Sequence, residues 1–184
     1  LFAPERKDPQ VNYFISRVSL TIGKFVINIG KFVIHSLESD RKKNMNRKKR
    51  IYLAGPLFSH AELEYNRKLR DLLLKKGFSV FLPQEDAEDT AYERDKQSQE
   101  YIFKKCAGGV DGSDIVVAVL DGVDVDSGTA WEIGYAYAKD IPVIGLRTDF
   151  RSLSDGIVNL MVEMAIVALA RDEDELLKIM DKLR

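Results

Sequence analysis

The run Ile115-Val-Val-Ala-Val-Leu120 has six positions and no polar residue. A strand with one wet face alternates apolar and polar side chains. An unbroken apolar run reads instead as a strand buried on both faces, the kind that sits inside a parallel sheet. The flanking chain repeats the theme. Ile51–Ala54 is a short apolar strand followed by the turn signal Gly55-Pro56. Phe78–Leu82 is a second strand ended by Pro83, Asp114–Leu120 the third, Pro142–Leu146 the fourth, and Ala165–Leu169 a short last one. Helical segments fall between them. Ser59-His-Ala-Glu62 is a capping box that opens a helix to about Lys76, with Leu63, Leu69, Leu72 and Leu73 near one face and Gly77 as its stop. Further helices are expected at about Ser98–Val110, Thr129–Lys139, Arg151–Met161 and Asp172–Leu183, the last with an acidic first turn. Strands alternating with helices at this spacing predict an α/β fold. The architecture expected is a flavodoxin-like or Rossmann-like doubly wound parallel sheet of about five strands, in a single domain.

Right-handed crossovers place the loops after the first, third and fourth strands on one edge of such a sheet. Ligands of open α/β sheets bind at that edge. The loops concerned are Gly55–Ser59, Asp121–Gly128 and Arg147–Arg151. The middle one is the richest in chemistry, with Asp121, Asp124, Asp126 and the glycines Gly122 and Gly128, and Glu132 following in what reads as the first helical turn. The polar stretch Gln84–Gln97 reads as a loop or lid.

Charge divides the chain. Residues 1–50 carry 12 Lys+Arg against 4 Asp+Glu, whereas residues 51–184 carry 16 against 25. The acidic body argues against nucleic acid as a partner, because it repels a phosphate backbone. The first fifty residues contain a tandem near-duplication, Ile22-Gly-Lys-Phe-Val-Ile-Asn28 and Ile29-Gly-Lys-Phe-Val-Ile-His35, then the basic run Arg41–Arg50. Lys24 and Lys31 interrupt the apolar stretch, which argues against a membrane span. Residues 1–47 therefore read as an extension and residues 48–184 as the catalytic domain. Met45 stands just before the first clean strand, and deleting residues 1–44 is expected to leave folding and catalysis intact, as circular dichroism and an activity assay would report. One cysteine, Cys106, permits no intrachain disulfide and fits a reducing cytoplasm. His35, His60 and Cys106 make no recognisable zinc set.

Several residues carry two readings each. Glu132 could cap its own helix through Thr129-Ala-Trp-Glu132, or act in a site. Asp121 and Asp124 suit a solvated turn, a weak cation site or a binding loop. Arg147 and Arg151 could hold a carboxylate or phosphate, or solvate their loop. Trp131 and Tyr135 read as packing or interface residues, and Cys106 as a buried small residue with no activating base near it in sequence.

Three stretches together resemble the nucleoside 2-deoxyribosyltransferases: Ile51-Tyr-Leu-Ala-Gly-Pro-Leu-Phe58, Ser113-Asp-Ile-Val-Val-Ala-Val-Leu-Asp-Gly122 and Asp126-Ser-Gly-Thr-Ala-Trp-Glu-Ile-Gly-Tyr-Ala136. The similarity spans about residues 50–170. It implies transfer of a 2-deoxyribosyl group between nucleobases through a covalent sugar–enzyme ester, with no cofactor and no metal. It implies Glu132 as nucleophile, Asp126 as the proton-handling aspartate at the base, and Tyr52 as the residue that orients Glu132. By the same resemblance, Gly55, Phe58, Asp121 and Gly128 fall in the substrate pocket. Asn159, in Asn159-Leu-Met161, falls where family members reach a neighbouring subunit's sugar site, so a homo-oligomer with shared active sites is implied. The partners implied are a deoxynucleoside and a free nucleobase, with nucleotide salvage as the setting and neither nucleic acid nor membrane involved. Cys106 stands about where some members have a substrate-binding aspartate. A related branch hydrolyses deoxynucleoside 5′-monophosphates and often has serine where Asp126 stands; Pro56-Leu-Phe58 and Asp126 lie closer to the transferases. A non-catalytic nucleotide-binding module on the same fold is a further alternative.

The residue types suit that chemistry. Cleaving an N-glycosidic bond develops positive charge on the sugar, which a carboxylate can stabilise and trap. Glu132 in a first turn is expected to be held ionised by the helix dipole. A second carboxyl serves the leaving base.

Overall fold

The computed structural model describes residues 20–22, 25–27, 47–87, 96–151 and 158–183, and the chain divides into two compact units, Leu1–Arg47 and Lys48–Arg184. In the first unit β1 (Leu20–Ile22) pairs antiparallel with β2 (Phe25–Ile27), Ile22 standing opposite Phe25. The first copy of the duplication supplies Ile22 and Phe25–Ile27 to this pair. The second copy, residues 29–35, lies outside the described residues.

The second unit runs β3 (Arg50–Ala54), α1 (His60–Lys75), β4 (Ser79–Phe81), α2 (Pro83–Asp86), α3 (Lys96–Asp111), β5 (Ile115–Val119), α4 (Ser127–Ala138), β6 (Val143–Leu146), α5 (Leu160–Ala165), β7 (Ala168–Ala170) and α6 (Glu173–Lys182). Its sheet has the order β4-β3-β5-β6-β7, and all four pairings are parallel. This is the expected five-stranded doubly wound sheet. The chain leaves β3 in one direction and returns to the other side of it at β5. The crevice beyond the carboxyl ends of β3 and β5 is therefore the topological switch point.

Strand alternation separates two cores. Ile51, Leu53, Ile115, Val117 and Val119 face one way and pack with Leu69 and Leu73 of α1 and Leu176 and Met180 of α6. Tyr52, Ala54, Val116 and Ala118 face the other way, with Val110 of α3, Ile133 and Ala136 of α4 and Val162 of α5. Each such aliphatic side chain contributes roughly 1.5–3 kcal/mol when fully buried. The consequence for function is directional: Tyr52 is aimed at the α3 and α4 side of the sheet.

The caps explain where helices begin. Ser59 Oγ accepts from Glu62 N–H at 3.2 Å while Glu62 Oε2 accepts from Ser59 N–H at 2.6 Å, the expected capping box. Gly77, at φ 91°, ends that helix region. Asp172 caps α6 by accepting from Glu175 N–H at 2.7 Å. Three boundaries differ from expectation. Residues 83–86 of the polar stretch form a helical turn, because Pro83 suits a first helical position, and residues 88–95 lie outside the described residues. Of the helix expected at Arg151–Met161, residues 152–157 lie outside the described residues, and a helix is present at Leu160–Ala165 behind an Asn159 cap. And α4 starts at Ser127 rather than Thr129, capped by Asp126. Among the described residues, no helix is long and apolar enough to cross a membrane.

Candidate active site

Tyr52 is the third residue of β3 and completely buried. Its ring stacks on Phe81 of β4, with centroids 5.3 Å apart and planes 12° from parallel. Gly109 of α3 presses on both rings. A Cβ there would stand 2.9 Å from Tyr52 Cε2 and 2.8 Å from Phe81 Cε1, closer than real Cβ contacts come. Only glycine lets α3 approach this near, and the ring is fixed between helix and strand. Its hydroxyl then has one partner for its proton: Tyr52 Oη donates to Glu132 Oε1 at 2.5 Å. Residues 80 positions apart thus meet in a short charge-assisted bond.

Glu132 is the sixth residue of α4, in its second turn. The expectation of a first-turn glutamate held ionised by the dipole is corrected here. The Thr129–Glu132 capping pattern is not used, since Asp126 Oδ2 takes the Thr129 N–H at 2.9 Å and the Thr129 hydroxyl at 3.2 Å. One turn deeper, Glu132 lies against the apolar layer. Burial raises its carboxyl to about 7, the negative charge of Asp126 adds to the rise, and the bond from Tyr52 opposes it. The hydroxyl of Tyr52 is itself pushed well up by burial and then by Glu132, so it stays a donor.

Tyr52, Glu132 and Asp126 are therefore brought together, as the resemblance implies. Gly55 follows β3 directly, where a Cβ would come within 3.0 Å of Asn66 Oδ1 and 3.3 Å of Val119 Cβ. Gly128, beside the cap, would carry a Cβ 3.1 Å from Asp126 Oδ2. Phe58 is 82% exposed, and its backbone N–H donates to Glu62.

Other candidates have different work. Both oxygens of Asp121 are engaged by the loop after β6: Oδ1 accepts from Thr148 N–H at 2.6 Å and Asp149 N–H at 2.8 Å, and Oδ2 from the Thr148 hydroxyl at 2.6 Å. In this structure Asp121 braces the two loops against each other. Arg147, only 5% exposed, donates through Nη1 to Leu120 O, and through Nη2 to Gly122 O at 3.1 Å and Arg151 O at 2.7 Å. Arg151 pairs with Asp149. Neither arginine is poised for an anion. Gly122, at φ 124°, makes the turn between these braces. Asp124 accepts from Val125 N–H at 2.8 Å, and among the described residues no cluster of His, Cys, Asp and Glu could hold a metal. Trp131 stacks on Tyr135 at 5.1 Å and meets Phe103 at 5.3 Å, a packing ladder between α3 and α4.

Asn159 does not join Glu132 within this chain. It caps α5 by accepting from Met161 N–H at 2.9 Å. It also lines a cavity of about 400 Å³ between α4 and α5, with Asp124, Tyr137, Met161 and Met164 among the walls and Glu132 not among them. One support was not anticipated. Asn66, buried in α1, donates to Pro56 O at 3.0 Å and Gln84 Oε1 at 3.2 Å, tying the loop after β3 to α2. Cys106 packs against the core layer that contains Tyr52.

Removing the phenol isolates its contribution. Tyr52→Phe leaves Glu132 Oε1 without its donor, so the carboxyl is expected to rise above about 7. Activity should fall about 10- to 100-fold near neutral pH, recovering in part in more alkaline buffer. A pH–rate profile unchanged from the parent would remove Tyr52 from the site.

Comparison with known proteins points to one family. The family profile described as "Nucleoside 2-deoxyribosyltransferase" matches residues 51–172. An uncharacterized protein of Ureaplasma parvum serovar 3 is 30% identical over 121 residues, covering 58% of this chain and 75% of that protein. A solved structure of a conserved protein from Enterococcus faecalis V583 is similar with TM-score 0.64 and 32% identity, over 75% of this chain and all (100%) of that one. The structure of a 2-deoxyribosyltransferase from Bacillus psychrosaccharolyticus is similar with TM-score 0.62 and 27% identity, over 69% of this chain and 89% of that one.

Proposed function

We propose that this chain, which belongs to the nucleoside 2-deoxyribosyltransferase family, moves a 2-deoxyribosyl group from one nucleobase to another through an ester on Glu132. The observation that carries the reading is the bond from the buried Tyr52 hydroxyl to Glu132 Oε1, with Asp126 close enough to raise the same carboxyl by its charge.

In the first half-reaction a Glu132 oxygen bonds to C1′ as the C1′–N bond breaks. The bonding pair leaves with the base, and the carboxyl group of Asp126 supplies a proton or hydrogen bond to the departing nitrogen. Asp126 commits Oδ2 to the helix cap, which holds the side chain in place and leaves Oδ1 for the base. In the second half-reaction a nitrogen of the incoming base bonds to C1′ and the ester C–O bond breaks. Glu132 is returned as a carboxylate and Asp126 takes the proton. A 2-deoxysugar lacks the electron-withdrawing 2′-hydroxyl, so its oxocarbenium-like transition state is accessible to two carboxylates.

The apolar rim of α5 supports an assembly in which copies share sites. Leu160, Met161 and Met164 are 66%, 77% and 67% exposed beside Asn159, more apolar surface than a short helix leaves to water without a partner. Incubation with a deoxynucleoside and a second free base tests the activity. A new nucleoside is the expected product; free deoxyribose alone would replace transfer by hydrolysis, and no product would remove the reading. Mass spectrometry after mixing with the deoxynucleoside should find one sugar adduct, on Glu132.

A further inference from the structure

We infer that Asn66 is a positioning residue for the nucleobase: its amide, clamped between Pro56 O and Gln84, fixes the loop after β3 in the shape that presents Leu57 and Phe58 to the base. This rests on the reading of the site as one that receives a nucleobase, and extends it to a residue of α1.

The loop is held from one side of one helix. Glu62 and Asn66 stand four residues apart on α1 and so share a face. Glu62 Oε2 accepts from Phe58 N–H at 3.0 Å and from Ser59 N–H at 2.6 Å. Asn66 Nδ2 donates to Pro56 O at 3.0 Å. Proline has no N–H, so this carbonyl is the whole of its backbone hydrogen-bonding capacity. The backbone is therefore pinned on both sides of Leu57. Leu57 and Phe58 are nonetheless exposed, so the pins fix residues that the core does not use.

The orientation of the Asn66 amide is itself imposed. Gln84 Nε2 donates to Leu63 O at 3.0 Å, which turns Gln84 Oε1 towards Asn66. An amide nitrogen has two protons. Asn66 Nδ2 gives one to Gln84 Oε1 at 3.2 Å and the other to Pro56 O. Its Oδ1 is left facing Gly55, where a Cβ would come within 3.0 Å, and it has no hydrogen-bond partner among the described residues. A buried acceptor left in that condition costs stability. Leucine would fill a similar space without that cost, but it could not hold Pro56 O. The amide thus suits the loop better than it suits the core.

Asn66 works from the α1 side of the sheet, whereas the bond from Tyr52 to Glu132 lies on the α3 and α4 side. Loss of the clamp should therefore weaken binding of the base and leave the bond-breaking groups alone.

Steady-state kinetics of the full chain test this. Asn66→Leu should raise KM about tenfold for both the deoxynucleoside and the accepting base, with kcat and the acid limb of kcat/KM as in the parent. Both substrates suffer because each brings a base to the same loop. A mere loss of folded protein would lower kcat and leave KM alone. Gln84→Met removes the acceptor that orients the amide, at a half-buried position, and should raise KM about threefold while adding nothing to Asn66→Leu. In a Phe58→Ala background, Asn66→Leu should raise KM by less than about twofold. Amide hydrogen exchange over residues 55–58 should quicken in Asn66→Leu. Parental KM in both single variants, a fall confined to kcat, or an undiminished effect without the Phe58 ring would overturn the inference. If the parent chain transfers no deoxyribosyl group, the proposed function fails, and exchange over residues 55–58 then decides whether Asn66 holds the loop.

Discussion

Glu132→Gln should cost at least about a thousandfold in kcat for transfer, on the order of 4 kcal/mol of transition-state stabilisation, and abolish the sugar adduct. Glutamine keeps the shape and an oxygen to accept from Tyr52, so the packing of α4 against β3 is retained. It cannot carry the negative charge that an oxocarbenium-like centre requires. The same substitution should stabilise the fold in alkaline buffer. Glu132 rises from an ordinary carboxylate value of 4.5 to about 7 on folding. A raised value means that the folded state binds the proton more tightly than the unfolded state does. Its contribution is fully present below about pH 4.5 and is lost as pH climbs through about 7. Glutamine has no such loss. Partial exposure screens the effect, so the variant should gain about 2 kcal/mol over the parent at pH 8, and little at pH 4. Thermal melts at the two pH values, beside single-turnover rates, make the comparison. A variant that retains near-parental rate removes Glu132 from the chemistry. A variant whose advantage over the parent is no larger at pH 8 than at pH 4 removes the claim that its carboxylate is held against burial.

The parent enzyme should show the kinetic counterpart. A nucleophile with a value near 7 is ionised above neutrality, so the acid limb of kcat/KM should rise through about pH 7. The burial that makes the carboxylate costly to the fold also leaves it poorly solvated and ready to bond to a cationic carbon.

How far the residues announce this arrangement depends on what kind of signal carries each part. The sheet was legible because continuous apolar runs such as Ile115–Val119 have one economical fate, burial on both faces, and all five of these residues are buried. The capping box at Ser59 was legible because it is local. The start of α4 was not, because two cap patterns overlap in seven residues. Asp126-Ser-Gly-Thr129 and Thr129-Ala-Trp-Glu132 both offer an acceptor to an N–H three residues on. Asp126 prevailed, since its carboxylate reaches the N–H and the hydroxyl of Thr129 together. That choice moved Glu132 from a solvated first turn to a buried second one and inverted the sign of its expected shift. The pairing of Tyr52 with Glu132 came from family resemblance alone, because no spacing rule links positions 80 apart. Arg147 was illegible for a related reason. Its partners are backbone carbonyls, and every residue in the chain has a carbonyl.

Arg147→Met should destabilise the second unit by about 3 kcal/mol. The guanidinium is buried and its fork joins Leu120 O at the end of β5, Gly122 O in the turn, and Arg151 O in the loop after β6. Methionine fills much of the same volume and supplies no donor. Three carbonyls would then lose a partner, at about 1–3 kcal/mol for each that stays dry. Two effects reduce the total: the exposed end of the fork can admit water at Arg151 O, and the charge no longer has to be held out of water. The remainder corresponds to a fall of about 10 °C in Tm for a domain of this size. The effect should spread to the site, because the residues that Arg147 secures lead directly into Asp126 and the cap of α4. Asp121 would still brace the loop through Thr148 and Asp149, so the fold should survive while the segment 121–126 loosens. Amide hydrogen exchange should therefore quicken there before it does in β5. Arg147→Lys should lie between the two proteins, since one ammonium cannot span carbonyls that the fork reaches from two nitrogens. A methionine variant melting within about 2 °C of the parent, with unaltered exchange over 121–126, would show that these loops are held by something other than the guanidinium.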